Sequence, residues 1–350
     1  MTPFEEDLAL ISRKLKALEI NNKTFFVTGA TGLVGSVLVK GILEGNQQFD
    51  LKNQVIAFVR NPQKAESIFS SNPLLAYCVG DITQPISFDG NIDYIVHAAS
   101  ETKSLNMVNH PVETLWTSLC GSKNVLDFAK DKNIEKMVYL SSMEAFGSGF
   151  DGESRVSEDQ LGYISLQSVR SCYPESKRMV ENMCCCYASE YKVPVVIARL
   201  AQTFGAGTSR DENRVFAQFA KSALTGQDIV LHTSGESYGN YVYTADVAIA
   251  ILTLLCKGTP SEVYTVANEE NTMSIRSMAQ MVADRIADGK IKLTFEIPDD
   301  NQYGYAPDTK LKLDASKMRQ LGWTPKFNLE EAYQRMISEW TGSNKYKNSL

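Results

Sequence analysis

Apolar side chains at Phe4, Leu8, Ile11, Leu15 and Leu18 recur every three or four residues, so the chain opens on an amphipathic helix. From Lys23 the pattern changes to short apolar runs. Phe25-Phe-Val27, Asn53–Val59, Leu75–Val79, Ile92–Val96, Lys136–Leu140 and Val193–Arg199 read as six strands. Most lack a polar-apolar alternation, which is what a strand covered on both faces requires. Helical stretches separate them, notably from Leu33, over Leu115–Lys130, and from Tyr173 to about Lys192. Strands alternating with helices predict an α/β fold, a Rossmann-type doubly wound parallel sheet. After Gln202 the rhythm loosens into loops, a helix over Val215–Leu224, short strands and late helices, which predicts a smaller C-terminal lobe. The expected organisation is an N-terminal helix over 1–22 and a sheet domain over 23–201. A lobe follows, mainly over 202–340 with some segments interleaved with the sheet domain, and then a polar tail over 341–350 that frays. The helix over 1–22 is expected to pack on the sheet domain.

Two short strings carry the candidate chemistry. Thr28-Gly-Ala-Thr-Gly-Leu-Val-Gly35 lies between an apolar strand and an apolar helix. Backbone N–H groups exposed by such a turn, together with a helix N-terminus, cradle a dinucleotide pyrophosphate. Tyr173-Pro-Glu-Ser-Lys177 sets a phenol and an ammonium four residues apart on one helical face. A nearby cation favours the phenolate, which suits Tyr173 to acid/base work on an alcohol or ketone.

Composition narrows the setting. With 35 Lys and Arg against 41 Asp and Glu the formal charge is −6, which argues against nucleic acid as the main ligand. No apolar run reaches membrane-spanning length and no signal-peptide pattern opens the chain, so a cytoplasmic protein is expected. Seven Cys, three of them consecutive at Cys184–Cys186, form no CxxC pair and read as reduced, packed thiols. His97, His110 and His232 are scattered, and no metal site is expected.

The chain resembles the extended short-chain dehydrogenase/reductases of the nucleotide-sugar epimerase/dehydratase family. The likeness runs from Lys23 to Trp340. It rests on the glycine turn, Gly80-Asp81-Ile82, His97-Ala-Ala-Ser100, Ser141-Ser142, Tyr173 with Lys177, Arg199 with Phe204-Gly205, Tyr243-Thr-Ala-Asp246 and Leu321-Gly-Trp-Thr-Pro325. Within the family, Arg170-Ser-Cys-Tyr173, Lys177-Arg178, Glu181 and Asn213-Arg-Val215 are most similar to UDP-glucuronate decarboxylases.

The resemblance implies an NAD(P)-dependent enzyme that oxidises C4 of a nucleotide sugar transiently, followed by decarboxylation or epimerisation. It implies Tyr173, Lys177, Ser142 and Glu144 as catalytic residues. Gly29, Thr31, Gly32, Leu33, Val34, Gly35, Arg60, Asp81, Ile82, Ala98, Ala99, Ser100, Tyr173 and Lys177 would hold the cofactor. Ser142, Met143, Gln202 and Arg214 would meet the substrate. It also implies a homodimer, built on helices whose expected contact faces carry Val125, Leu126, Phe128, Met179, Met183 and Tyr187.

Several positions depart from the family pattern. Met143 stands where dehydratases carry an Asp, and a thioether donates no proton. Gln202 and Ser118 replace expected Asn residues, and Tyr238-Gly239-Asn240 lacks an Arg found in decarboxylases. The second strand ends in Arg60 where NAD-binding domains place an acid for the ribose hydroxyls, which tilts the cofactor toward NADP. Two other readings are an NADPH-dependent carbonyl reductase and a non-catalytic dinucleotide-sensing protein. His97 is expected beside the cofactor without a proton-transfer role, and Cys172 as pocket wall.

Overall fold

The computed structural model describes residues 1–297 and 309–342. Residues 343–350 of the expected tail lie outside them. Helix α1 spans Pro3–Ala17, followed by β1 Thr24–Thr28, α2 Leu33–Phe49, β2 Gln54–Val59, α3 Pro62–Ile68 and β3 Leu75–Val79. Next come β4 Tyr94–His97, α4 Ser104–Asn109, α5 Pro111–Lys132, β5 Lys136–Ser142, α6 Cys172–Tyr191 and β6 Val195–Leu200. The lobe elements are β7 Gln202–Phe204, α7 Val215–Thr225, β8 Ile229–Leu231, β9 Tyr238–Tyr243 and α8 Thr244–Lys257. Then follow β10 Val263–Val266, β11 Asn268–Ser274, α9 Ile275–Met281, β12 Leu293–Phe295, α10 Ser316–Gln320 and α11 Leu329–Thr341.

Seven strands form one parallel sheet in the order β10-β6-β5-β4-β1-β2-β3. Successive side chains on a strand point to opposite faces, so an apolar run feeds two cores at once. Phe25 and Val27 join Val55, Ala57, Val96, Val138 and Leu140 against α1, α2 and α8. Phe26 joins Ile56, Phe58, Ile95, Met137 and Tyr139 against α5 and α6. The seventh strand, β10, comes from beyond Gln202 and pairs with β6, Val263 opposite Ile197. A second sheet, β11-β9-β7, and a two-stranded one, β12-β8, build the structure flanking the sheet's carboxyl edge.

Helix α1 packs on the main body as expected. The built position of a Cβ on Gly41 falls 2.4 Å from Ile11 Cγ2, so glycine is what lets α1 and α2 approach. Asp7 accepts from the Tyr243 hydroxyl at 2.6 Å and from Arg335 Nη2 at 2.7 Å, which ties α1 to β9 and α11 inside the core. Trp323 Nε1 donates to Asp246 O at 3.0 Å and Phe327 N to its carboxylate at 3.2 Å, closing the last segment onto α8.

The α5 residues expected at a subunit contact are placed differently. Val125, Leu126 and Phe128 are buried by the chain's own sheet, with Phe128 4.7 Å from Phe26 between ring centres. Tyr187 donates to Asp127 at 2.8 Å and is partly buried with Met183, whereas Met179 is 55% exposed. Helical periodicity alone does not say which stripe the sheet takes. The apolar residues left outward on α5 are Val112, Leu115 and Trp116.

Candidate active site

The sheet's strand order reverses between β1 and β4, and a crevice opens at their carboxyl ends, where doubly wound folds bind ligands. The chain leaves β1 through Gly29 at φ 65°, a left-handed conformation suited to glycine. A Cβ there would fall 2.6 Å from the Ala98 carbonyl and Ala99 N. The two backbones therefore touch, and only glycine permits it. Helix α2 starts at Leu33 behind Gly32, with no side-chain cap, so its first-turn amides are available to an anion.

Beneath this turn Thr28 Oγ1 accepts from Ala99 N at 3.2 Å and bonds His97 Nδ1 at 2.8 Å, while His97 Nε2 bonds Ser122 Oγ at 3.0 Å. Burial, with Lys177 nearby, depresses the His97 pKa to about 3, so the ring is neutral and structural.

The crevice is a cleft of about 690 Å³. Gly29, Thr31, Gly32, Leu33, Val34, Gly35, Arg60, Ile82, Ala98, Ala99 and Ser100 line it. So do Ser142, Met143, Glu144, Tyr173, Lys177, Gln202 and Arg214. Asp81 does not line it; its carboxylate accepts from Thr83 N and Oγ1, both at 2.8 Å. Ser118 is also off the lining, with Thr117 on it. Asn240 is fully buried and spent on structure, donating to Leu311 O and accepting from Leu313 N and Thr272 Oγ1.

Lys64 and Arg170 line the cleft without having been singled out as site residues. The Asn61 cap and Pro62 place Lys64 in the first turn of α3, a few residues beyond Arg60. Arg170 precedes Tyr173 by three residues, across the helical turn Val169–Ser171 that enters α6.

Tyr173 and Lys177 both lie on the buried face of α6. Burial first, then the Glu144 carboxylate, push the Tyr173 phenol up to about 12; a hydrogen bond to Ser142 and the Arg170 and Arg214 cations act downward. Both arginines thus favour the phenolate, and the Lys177 ammonium lies 5.6 Å from the Tyr173 ring centre. Lys177 Nζ donates to Leu140 O at 2.8 Å, and burial lowers its pKa to about 8 against the Glu181 carboxylate, which raises it. Glu181 is itself held by Arg199 at 2.7 Å and by Ser141 at 2.5 Å.

Glu144 follows β5 in a short helical turn started by Ser142 and pairs with Arg170 at 2.9 Å. Arg214 pairs with Glu212 at 2.7 Å, and Gln202 Oε1 is buried with no partner among the described residues. The set combines a buried phenol, a hydroxyl that bonds it, the Lys177 ammonium on the same helical face, and the Arg170–Glu144 and Arg214–Glu212 ion pairs. That suits proton exchange with a sugar hydroxyl on an anionic substrate. Among the described residues no His, Cys, Asp and Glu group is arranged to hold a metal, and no helix is long and apolar enough to cross a membrane.

A profile of the NAD dependent epimerase/dehydratase family matches residues 25–267. The chain belongs to this family. It is 29% identical over 322 residues to a UDP-glucuronic acid decarboxylase 1 of Danio rerio, covering 91% of this chain and 73% of the relative. It is 24% identical over 335 residues to a dTDP-D-glucose 4,6-dehydratase of Mus musculus, covering 92% and 89%. Its fold is similar to the crystal structure of a UDP-glucose 4-epimerase from Thermotoga maritima, solved with UDP-glucose. That match has a TM-score of 0.76 and 21% identity, and covers 91% of this chain and 99% of that one.

Proposed function

We propose that this family member oxidises C4 of a nucleotide-linked sugar transiently, that the sugar is a uronic acid, and that decarboxylation follows. The observation that carries this is the burial of Tyr173, with a Ser142 bond and Lys177 on the same helical face, in the cleft that also holds the glycine turn. The uncapped α2 N-terminus and the Gly29–Ala98 contact fit a dinucleotide pyrophosphate. A nicotinamide held there would supply the acceptor, and later the donor, of the C4 hydride.

The protein's own work begins with position. Ser142 and Tyr173 meet the 4-hydroxyl, and Tyr173 takes its proton. Arg170 and Arg214 offset the charge that burial makes costly on the phenol. The 4-ketone then stabilises a carbanion at C5, so a C6 carboxylate leaves as carbon dioxide without a base. The resulting enolate takes a proton from water at C5, and the C4 ketone is reduced again with the proton held by Tyr173. Met143 offers no proton for loss of water. Glu144 on the cleft wall supports a second reading, epimerisation at C5, in which its carboxylate would exchange the C5 proton.

Arg60 and Lys64 on the lining support NADP over NAD through a 2′-phosphate. The outward Val112, Leu115, Trp116 and Met179 support a homodimer through α5 and α6.

The test is a panel of nucleotide sugars followed by mass spectrometry. Loss of carbon dioxide from a nucleotide-linked uronic acid, with no net cofactor consumed, is the expected result. Gain of two hydrogens with stoichiometric NADPH consumption would replace the proposal with a reductase.

A further inference from the structure

Lys177 is the charged group whose surroundings are least explained by the residues so far assigned. Its ammonium is inside the protein, where an ion without compensation loses its charge. The hydrogen bond given to it by the fold is the one to Leu140 O on β5. The adjacent residue of the same strand, Tyr139, presents its ring 4.9 Å from Lys177 Nζ, closer than the Tyr173 ring at 5.6 Å. Tyr139 is 1% exposed, and its hydroxyl finds no partner among the described residues. Its ring rests 5.5 Å from that of His97, whose neutral state keeps a competing cation out of the floor.

We propose that Tyr139 is a positioning residue for the reaction: its ring face holds the Lys177 ammonium in place and in its charged form. This rests on the reading of Lys177 as part of the catalytic set. The negative face of an aromatic ring attracts a cation most strongly where water is excluded, as it is here. Leu140 O bonds the ammonium and the Tyr139 ring face lies against it. That leaves donor capacity for groups bound in the cleft. The other titratable or charged groups bearing on Lys177 are Glu181 and Cys184 on α6, Glu144 after β5, His97 on β4 and Tyr173. Glu181 is neutralised by Arg199. Its pull on Lys177 is therefore shared, and the ring's contribution counts. The unpartnered hydroxyl means that the ring, and not the phenol oxygen, does this.

The experiment compares Tyr139→Phe, Tyr139→Leu and a series of phenylalanine analogues at 139 with increasing ring fluorination. Fluorination weakens the ring face while keeping the shape, so it answers even where Tyr139→Leu folds poorly. In the holoenzyme the high-pH limb of kcat/KM, where Lys177 loses its proton, should move down by about one pH unit in Tyr139→Leu. The analogues should move it progressively, and Tyr139→Phe should match the unaltered protein. A uniform loss of activity with an unmoved limb, or a Tyr139→Phe shift as large as that of Tyr139→Leu, overturns the proposal.

A nitrogen-15 NMR titration of the Lys177 ammonium, assigned by its loss in Lys177→Arg, should show the same displacement without any turnover. If no nucleotide sugar reduces the bound cofactor, the proposed function fails while this titration still decides the role of Tyr139.

Discussion

Arg170 Nη2 donates to Glu144 Oε1 across 2.9 Å, and the guanidinium carbon lies 5.7 Å from the centre of the Tyr173 ring. The pair acts on the phenol with opposite signs: Glu144 raises its pKa and Arg170 lowers it. Glu144→Gln should move the Tyr173 ionisation, read from single-turnover cofactor reduction, to lower pH, and Arg170→Gln should move it to higher pH. A pH-rate profile that shifts the same way in both variants would rule this coupling out.

Glu144→Gln also separates the two readings of the chemistry after C4 oxidation. Decarboxylation needs no C5 base, so carbon dioxide release from a uronic-acid substrate should persist within about tenfold, a small part of what general-base catalysis contributes. Accumulation of a 4-keto sugar with no carbon dioxide released would assign Glu144 a proton-transfer role and favour epimerisation.

Tyr173→Phe keeps the ring in its buried slot and removes the proton acceptor. Turnover should fall by about 10²–10⁴-fold, the usual contribution of general-base catalysis, while dinucleotide binding measured by titration stays near normal. A loss smaller than about tenfold would reject Tyr173 as the C4 base.

Arg60→Ala and Lys64→Ala should each weaken NADP(H) more than NAD(H), because a cation facing a 2′-phosphate is lost. Binding isotherms for both dinucleotides check this. A preference of the unaltered protein for NAD(H) of about tenfold, ~1.4 kcal/mol, would reverse the cofactor assignment.

Asp246 gives a pH test of the core. Burial pushes its carboxyl from 3.8 to about 7, against lowering bonds from the Lys326 and Phe327 amides. Between those values the folded chain keeps a proton that the unfolded chain releases. Its stabilising effect is therefore present at low pH and lost as pH rises through about 7. His97 acts the other way: its pKa falls from 6.5 to about 3, so stability is lost as pH drops below 6.5. The two nearly cancel in the unaltered protein. Asp246→Asn imitates the protonated carboxyl, so relative to the unaltered protein it should gain stability from pH 5 to 7.5, by at most about 1.4 kcal/mol per pH unit. A Tm difference that does not change with pH would contradict the raised carboxyl.

The protein should run as a dimer in light scattering at micromolar concentration, and Trp116→Glu should make it a monomer. The side chain is 61% exposed on α5, so the change costs the isolated chain little. A monomer mass for the unaltered protein would remove the dimer proposal.

The sequence by itself determined the sheet and singled out the side chains proposed to react. Unbroken apolar runs such as Phe25–Val27 can be satisfied only by a strand with cores on both faces. A glycine string between strand and helix has few other uses, and Tyr173 and Lys177 share a helical face by spacing alone. What only the tertiary structure decided depends on contacts between distant segments. Periodicity did not say that Val125, Leu126 and Phe128 face Phe26, because any helix with a wide apolar stripe offers more surface than one sheet covers.

Nor did local residue type reveal that Asp81 is spent on Thr83, that Asn240 is locked to Leu311 and Leu313, or that Arg170 reaches Glu144. A side chain's charge is written in the sequence, but its pKa is set by burial and by neighbours that folding brings near. Lys177 was expected beside Tyr173, and the fold sets its ammonium 5.6 Å from that ring while bonding it to Leu140 O and holding it 4.9 Å from the Tyr139 ring. Arg170 and Arg214, which local residue type did not single out as tuning the phenol, lower its pKa.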